Sequence, residues 1–226
     1  MQQNPVGPDA ETAARHDAAD AVDRLFDGVK TFQQKVFPHL REEFRSLAKA
    51  QNPSILFIAC ADSRVVPEMI TQTNPGDLFV CRNIGNIVPG YGEMLGGVSA
   101  VIEYAVMELG VTEIVICGHS DCGAMKGLLK GQEVFARMPT VASWLRNAHS
   151  ALSVVEVLHP DLEGEAKVQA LVEQNVRTQL QHLATHPSVA AGKAAGRLKL
   201  HGWVYDIETG EVRRHDEETG KLVPIG

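Results

Sequence analysis

Two short segments far apart in the chain carry side chains that can act together on one ion: Cys60-x-Asp62-x-Arg64 and His119-x-x-Cys122. Two thiols and an imidazole are donors suited to tetrahedral zinc, and Asp62 offers a fourth. Side chains alternate along an extended segment, so Cys60, Asp62 and Arg64 share one side if strand geometry continues past Ala59. His119 and Cys122, three apart where a strand gives way to a helix, converge as the first helical turn begins. The set can work in two ways. With all four ligands on the metal the site is closed, as in a noncatalytic structural zinc-thiolate module; with Asp62 drawn onto Arg64 by a bidentate pair, one position opens for water. Two thiolates and a neutral imidazole leave the zinc site formally neutral, whereas adding Asp62 makes it anionic and blocks water. The active form is therefore expected to keep Asp62 on Arg64, where it accepts a hydrogen bond from zinc-bound hydroxide and orients the lone pair used for attack.

Each segment follows a short apolar run, Ile55-Leu56-Phe57-Ile58 before Cys60 and Ile114-Val115-Ile116 before His119. Both therefore sit where buried strands end, which is where open α/β sheets bind their ligands. The pattern predicts strands over 54–59, 77–82 and 113–117, alternating with helices over 67–71 and 97–109 and one from Cys122. In the second helix Val98, Val101, Ile102, Ala105, Val106 and Leu109 form one apolar stripe that should cover the sheet. Further helices are expected over 141–157 and 165–185, with a short one opened by Pro187, before a hairpin of strands over 198–207 and 211–215. Ahead of the core, Val22, Leu25, Phe26, Val29, Phe32 and Val36 recur at helical spacing up to Pro38, and a second helix holds Phe44 and Leu47. That apolar face must dock on the body or on another subunit. The expected fold class is α/β, a mostly parallel central sheet flanked by helices, with an antiparallel edge hairpin near the C-terminus and an N-terminal helical arm. A single domain over 1–226 would divide into an arm (1–50), a zinc-binding α/β core (51–130), and C-terminal helices with a strand hairpin (131–226).

The bulk properties narrow the partners. A net charge of -7 argues against nucleic acid, whose binding needs clustered Lys and Arg. No apolar stretch is long enough to cross a bilayer, and residues 1–9 lack the pattern of a secretory signal, so the cytoplasm is the expected location; residues 1 to about 12, polar with two prolines, are expected to be loose. Four cysteines in such a chain read as thiols or metal ligands rather than a disulfide framework; Cys81 and Cys117 lie within apolar runs, as small buried hydrophobes. The glycines between Gly85 and Gly97 form a loop of close backbone approach, without the spacing or the following Lys of a phosphate cradle. Apart from His119 no histidine has a ligand context, and none stands out as a proton shuttle, a role that buffer can fill.

Cys60-Ala61-Asp62-Ser63-Arg64 and Gly118-His119-Ser120-Asp121-Cys122-Gly123 closely resemble the β-class carbonic anhydrases. The likeness runs on through Pro75-Gly76-Asp77-Leu78-Phe79, Arg82-Asn83-Ile84-Gly85-Asn86, Gly97-Val98-Ser99-Ala100 and Leu200-His201-Gly202-Trp203-Val204-Tyr205-Asp206, so it spans roughly 32–207. It implies zinc-dependent, reversible hydration of carbon dioxide to bicarbonate and a proton, with Cys60, His119 and Cys122 as permanent ligands and Asp62 and Arg64 as the dyad gating the fourth position. It further implies a homodimer as the minimal unit, with tetramers or octamers as larger assemblies, N-terminal helices gripping the partner and active sites near the interface. Within the family the chain resembles the plant-type branch, which includes bacterial enzymes linked to cyanate metabolism. Gln51, Phe79, Ile84, Tyr104 and Gly123 match that branch's substrate pocket, Gln51 hydrogen-bonding bicarbonate while Phe79 and Tyr104 wall the cleft. Members inhibited through a noncatalytic bicarbonate site have Trp three residues before the first Cys; here that residue is Phe57, although Arg82 and Tyr205 match, so this site is expected to be absent or weak. The nearest alternative on the same scaffold is hydrolysis of carbonyl sulfide or carbon disulfide.

Overall fold

A computed structural model describes residues 10–93, 96–216 and 218–225; of the segment from residue 1 to about 12, expected to be loose, residues 1–9 lie outside the described residues, and 10–12 are instead the first residues of a helix. Two compact units are distinguished, Met1–Gln51 and Asn52–Gly226. The first holds helices α1 (Ala10–Thr31) and α2 (Phe37–Leu47), joined by a π-helical turn over Phe32–Val36. The turn has a local cause: Pro38 lacks an N–H to donate, and the hydrogen-bond ladder widens just before it instead of breaking. Phe37 packs between Phe32 and Phe44, with ring centroids 5.8 and 5.5 Å away. The apolar residues at helical spacing, Val22, Leu25, Phe26, Val29, Phe32 and Val36, are all exposed.

The second unit is built on six strands among the described residues: β1 (Ile55–Cys60), β2 (Leu78–Asn83), β3 (Glu113–His119), β4 (Lys199–Tyr205), β5 (Val212–His215) and β6 (Leu222–Pro224). Their order is β2-β1-β3-β4-β5-β6, the first four parallel and the last two joined antiparallel. The parallel pairings are connected by helices, as such connections require: α3 (Pro67–Thr71), α4 (Val98–Met107) and, after β3, α5 (Gly123–Lys130), α6 (Pro139–Leu145), α7 (His149–Leu158), α8 (Gly164–Ala184) and α9 (Pro187–Ala194). β6 was not read from the sequence, because three residues are too few to show alternation. Its Pro224 is tolerated at the edge of the sheet.

The stretch expected to form one helix over 141–157 is two, α6 and α7, separated by a 3-10 turn over Arg146–Ala148. The backbone groups that would continue the helix are diverted. Asn147 Nδ2 donates to the Trp144 carbonyl at 2.8 Å, and the Asn147 carbonyl accepts from Gln179 Nε2 of α8 at 3.2 Å.

Alternation sorts the central strands onto two faces. Leu56, Ile58, Ile114 and Ile116 pack with Ile102 of α4, Val155 of α7, and Leu171, Val172 and Val176 of α8. Phe57, Ala59, Val115 and Cys117 face the other way, with Val65 and the partly buried Trp203. Each large side chain sealed in this way contributes about 1.5–3 kcal/mol. α8 comes close to the sheet because two facing positions have no side chain. A Cβ on Gly118 would lie 2.8 Å from Val176 Cγ2 and 3.2 Å from Val172 Cγ1, and one on Gly202 would lie 2.8 Å from both Leu180 Cδ1 and Val176 Cγ1. Val172 and Val176 are β-branched and stiff, so the helix must move to make room. Gly118→Ala is therefore expected to destabilise the protein by about 1–3 kcal/mol. Chemical denaturation checks this, and an unchanged midpoint would contradict the close approach.

Candidate metal centre

β1 and β3 are parallel neighbours, so the segments that follow them emerge side by side at the same edge of the sheet. Cys60 ends β1, His119 ends β3, and Cys122 immediately precedes α5. Their ligand-capable atoms lie within 4.8 Å of one another, and all three residues are buried. His119 Nδ1 lies 2.8 Å from the Ser120 carbonyl. A carbonyl can only accept, so Nδ1 carries the proton and Nε2 presents a lone pair. Among the described residues Nε2 is buried with no hydrogen-bond partner. An orphaned acceptor between two thiols is a poor core element and a good cation ligand, so the donor set fits a borderline-soft metal ion such as zinc.

The two thiols are electrostatically unequal. Cys60 is pulled well below the ordinary thiol range, first by its hydrogen bond with Cys122 and then by His119 and the backbone N–H groups of Asp62 and Gly85, against the effect of burial. Cys122 is pushed up by the same shared bond and by burial, so without a metal the pair behaves as one thiolate and one thiol. The Gly85 N–H points at Cys60 Sγ at 3.4 Å from a backbone with φ +78°, and a Cβ there would crowd Ala124 Cβ at 3.1 Å. Two buried amides of α8 hold that loop: Asn175 Nδ2 donates to the Gly85 carbonyl at 3.0 Å, and Gln179 Oε1 accepts from Val88 N–H at 2.9 Å. Sequence reading missed Asn175 and Gln179, whose only signal is two amides four apart on a helix that also buries Leu171, Val172, Val176, Thr178 and Leu183.

Strand geometry does not continue past Cys60. The chain turns instead, with Val65 N–H donating to the Asp62 carbonyl at 3.0 Å and Arg64 N–H to Asp62 Oδ1 at 3.0 Å. The turn folds the guanidinium back onto its neighbour: Arg64 Nε lies 2.9 Å from Asp62 Oδ1 and Nη2 2.8 Å from Oδ2. This fork holds the Asp62 carboxyl far below the usual carboxylate range, more than offsetting burial. Asp62 Oδ2 lies 4.0 Å from His119 Nε2. Arg82 braces the turn from β2, donating to the Asp62 carbonyl at 2.6 Å and to the Cys60 carbonyl at 3.1 Å.

The remaining expected site residues are distributed as follows. Phe79 of β2 and Tyr104 of α4 pair with ring centroids 6.0 Å apart. Ile84 follows β2 with its side chain exposed, and its carbonyl accepts from Trp144 Nε1 at 2.8 Å. Gly123 opens α5, and a Cβ there would meet nothing within 4 Å. Gln51 ends the N-terminal unit and is exposed. Beside Arg64 opens a cavity of about 510 Å³ lined by Ser120, Asp121, Lys126, Glu165 and Gln169 among others. Sequence reading did not foresee it.

The carbonic anhydrase family profile matches residues 55–212. A carbonic anhydrase of Pseudomonas aeruginosa is 50% identical over 201 residues, which cover 89% of this chain and 90% of the relative. Among solved structures, that of the β-carbonic anhydrase CcaA superposes with a TM-score of 0.90 at 42% identity, covering 92% of this chain and 93% of the other. One of two tetrameric β-carbonic anhydrases of Sordaria macrospora gives 0.68 at 31% identity, covering 94% and 98%.

The unequal thiols lead to an order of reactivity. In metal-stripped protein at neutral pH a small alkylating reagent should label Cys60 first. Cys117, fully buried and pushed up to about 12 by that burial, should stay unlabelled. Peptide mass mapping reads the order, and equal rates at the two residues would contradict it.

Proposed function

We infer, from the membership of this chain in the β-carbonic anhydrase family, that its reversible hydration of carbon dioxide to bicarbonate is carried out at Cys60, His119 and Cys122. These three residues would hold the metal, and the ion that best suits two thiols and an imidazole is zinc. Bound there, zinc would supply the Lewis acidity that makes water a nucleophile near neutral pH. The observation that carries this reading is the buried, unpartnered His119 Nε2 between two thiols, with both Asp62 oxygens turned onto Arg64.

The chain's own side chains then have separable tasks. Ionised Asp62 can only accept hydrogen bonds, so it orients the attacking water and does not serve as a proton donor. Arg64 holds both Asp62 oxygens and so would keep the carboxylate off a bound ion, leaving a position for water. By the family resemblance, Phe79 and Tyr104 would wall the carbon dioxide cleft, Ile84 and Gly123 would belong to the same substrate pocket, and the Gln51 amide would hydrogen-bond bicarbonate. With zinc bound, two thiolates and a neutral imidazole would leave the site formally neutral, and such a site would hold an anionic product less firmly than a cationic site would. The exposed apolar stripe of α1 supports a homodimer in which a partner covers it, and tetrameric or octameric assembly would build on that dimer. Among the described residues no helix is long and apolar enough to cross a membrane, and cytoplasmic action of a plant-type enzyme is part of the same proposal.

Regulation through the noncatalytic bicarbonate site has little to work with here. Phe57 is buried edge-on against Trp203, with centroids 5.8 Å apart, and the Arg82 guanidinium is committed to the Cys60 and Asp62 carbonyls.

Stopped-flow hydration assays with zinc analysis test the assignment. Zinc-loaded protein should turn over carbon dioxide, and absence of hydration from neutral to alkaline pH would sink it. Arg64→Ala should retain zinc while losing about 100-fold in kcat/KM, the scale on which misplaced groups act. A structural zinc site would tolerate the change. Bicarbonate should inhibit without cooperativity, and a sigmoidal titration would refute the argument from Phe57.

A further inference from the structure

Arg64 is held from two sides. While Nε and Nη2 grip Asp62, Nη1 lies 3.0 Å from Asp121 Oδ2, a residue 57 positions later in the chain. The other oxygen of that carboxylate, Oδ1, is bonded by Lys126 of α5. Four charges thus alternate in sequence: Asp62, Arg64, Asp121, Lys126. The Arg64 side chain is 43% exposed, and its other carboxylate partner, Asp62, sits on the same short turn, so the two could swing as one body. Asp121 belongs to a different segment of the chain, the one after β3. It lies between His119 and Cys122, in a left-handed conformation with φ +61°, which Asp and Asn adopt more readily than other side-chain-bearing residues. Its carboxylate position is therefore tied to the segment that carries two of the three metal-capable residues.

We propose that Asp121, steadied by Lys126, is a positioning residue for the Arg64 fork, pinning the turn after β1 to the segment after β3 so that Asp62 stays turned away from the metal position. Lys126 occupies the second carboxylate oxygen, so Asp121 offers Arg64 one contact and leaves the fork to Asp62. This rests on the reading of Asp62 and Arg64 as the gate. Without the pin, Arg64 follows Asp62, Asp62 spends more time in the fourth position, and outside ligands must compete with it.

The test is Asp121→Asn, which is nearly isosteric, keeps an oxygen for hydrogen bonding, and suits the left-handed backbone. Its partner control is Glu165→Gln, which removes a carboxylate from the same cavity wall. On zinc-loaded full-length protein, calorimetry with thiocyanate reads how available the fourth position is, independently of turnover. Asp121→Asn should weaken thiocyanate binding and lower kcat about two- to fivefold, the scale of an exposed ion pair, and Glu165→Gln should change neither. Arg64→Ala should weaken thiocyanate binding further, and adding Asp121→Asn to it should have no additional effect, because the pin acts only through Arg64. Wild-type thiocyanate binding in Asp121→Asn would overturn the proposal, as would an undiminished effect in the Arg64→Ala background. Loss of zinc on Asp121→Asn would also overturn it, assigning Asp121 to the folding of the ligand segment. If Arg64→Ala itself behaves as wild type, the gate reading fails as well; a crippled Arg64→Ala beside an unaffected Asp121→Asn sinks this inference alone.

Discussion

Burying an imidazole nitrogen without a hydrogen-bond partner costs about 1–3 kcal/mol, and the ends of β1 and β3 are arranged around one such atom. The Ser120 carbonyl takes the only proton of the His119 ring, so the lone pair of Nε2 is directed inward between Cys60 and Cys122. A cation held jointly with the two sulfurs would satisfy that atom. The parallel pairing of β1 with β3 brings Cys60 and His119 to one edge of the sheet, the place where open α/β sheets bind ligands.

A second constraint is the count of negative charge. Two thiolates match a divalent ion, and a third anion on it would exclude water, yet Asp62 lies only 4.0 Å from His119 Nε2. The short turn after Cys60 resolves the conflict by giving the carboxylate a better partner two residues away, the Arg64 fork. Arg82 fixes the backbone of that turn, and Asp121 fixes the far side of the guanidinium. The arrangement is a balance between partners and not a rigid cage, which suits a residue that must be near the reacting centre without occupying it.

α8 supports this edge of the sheet from behind in two ways. Bare backbone at Gly118 and Gly202 lets its Val172, Val176 and Leu180 approach β3 and β4 directly. One helical face further on, Asn175 and Gln179 reach the loop whose Gly85 N–H touches Cys60. Packing and hydrogen bonding from one helix therefore set both the height of β3 and the position of the first thiol.

Residue type and local spacing were sufficient for much of this. Apolar β-branched runs ending in Cys60 and His119 mark buried strands, the alternation with helices marks a parallel sheet, and the likeness to the β-carbonic anhydrases carries the family, which the profile match and the fold neighbours bear out. Soft donors name themselves by their chemistry wherever they stand. What local pattern could not supply were features made by groups distant in the chain. The turn at Asp62 competes with strand extension and wins through a side-chain fork; the split between α6 and α7 depends on Gln179, more than thirty residues on; β6 is too short to show a period; and Asp121 meets Arg64 across 57 residues. Long-range hydrogen bonds and ion pairs leave no periodicity in a sequence, since their partners become neighbours only when the sheet has set its register. Chemistry was thus legible from the chain, and the geometry that decides where Asp62 and Arg64 point belongs to the folded protein alone.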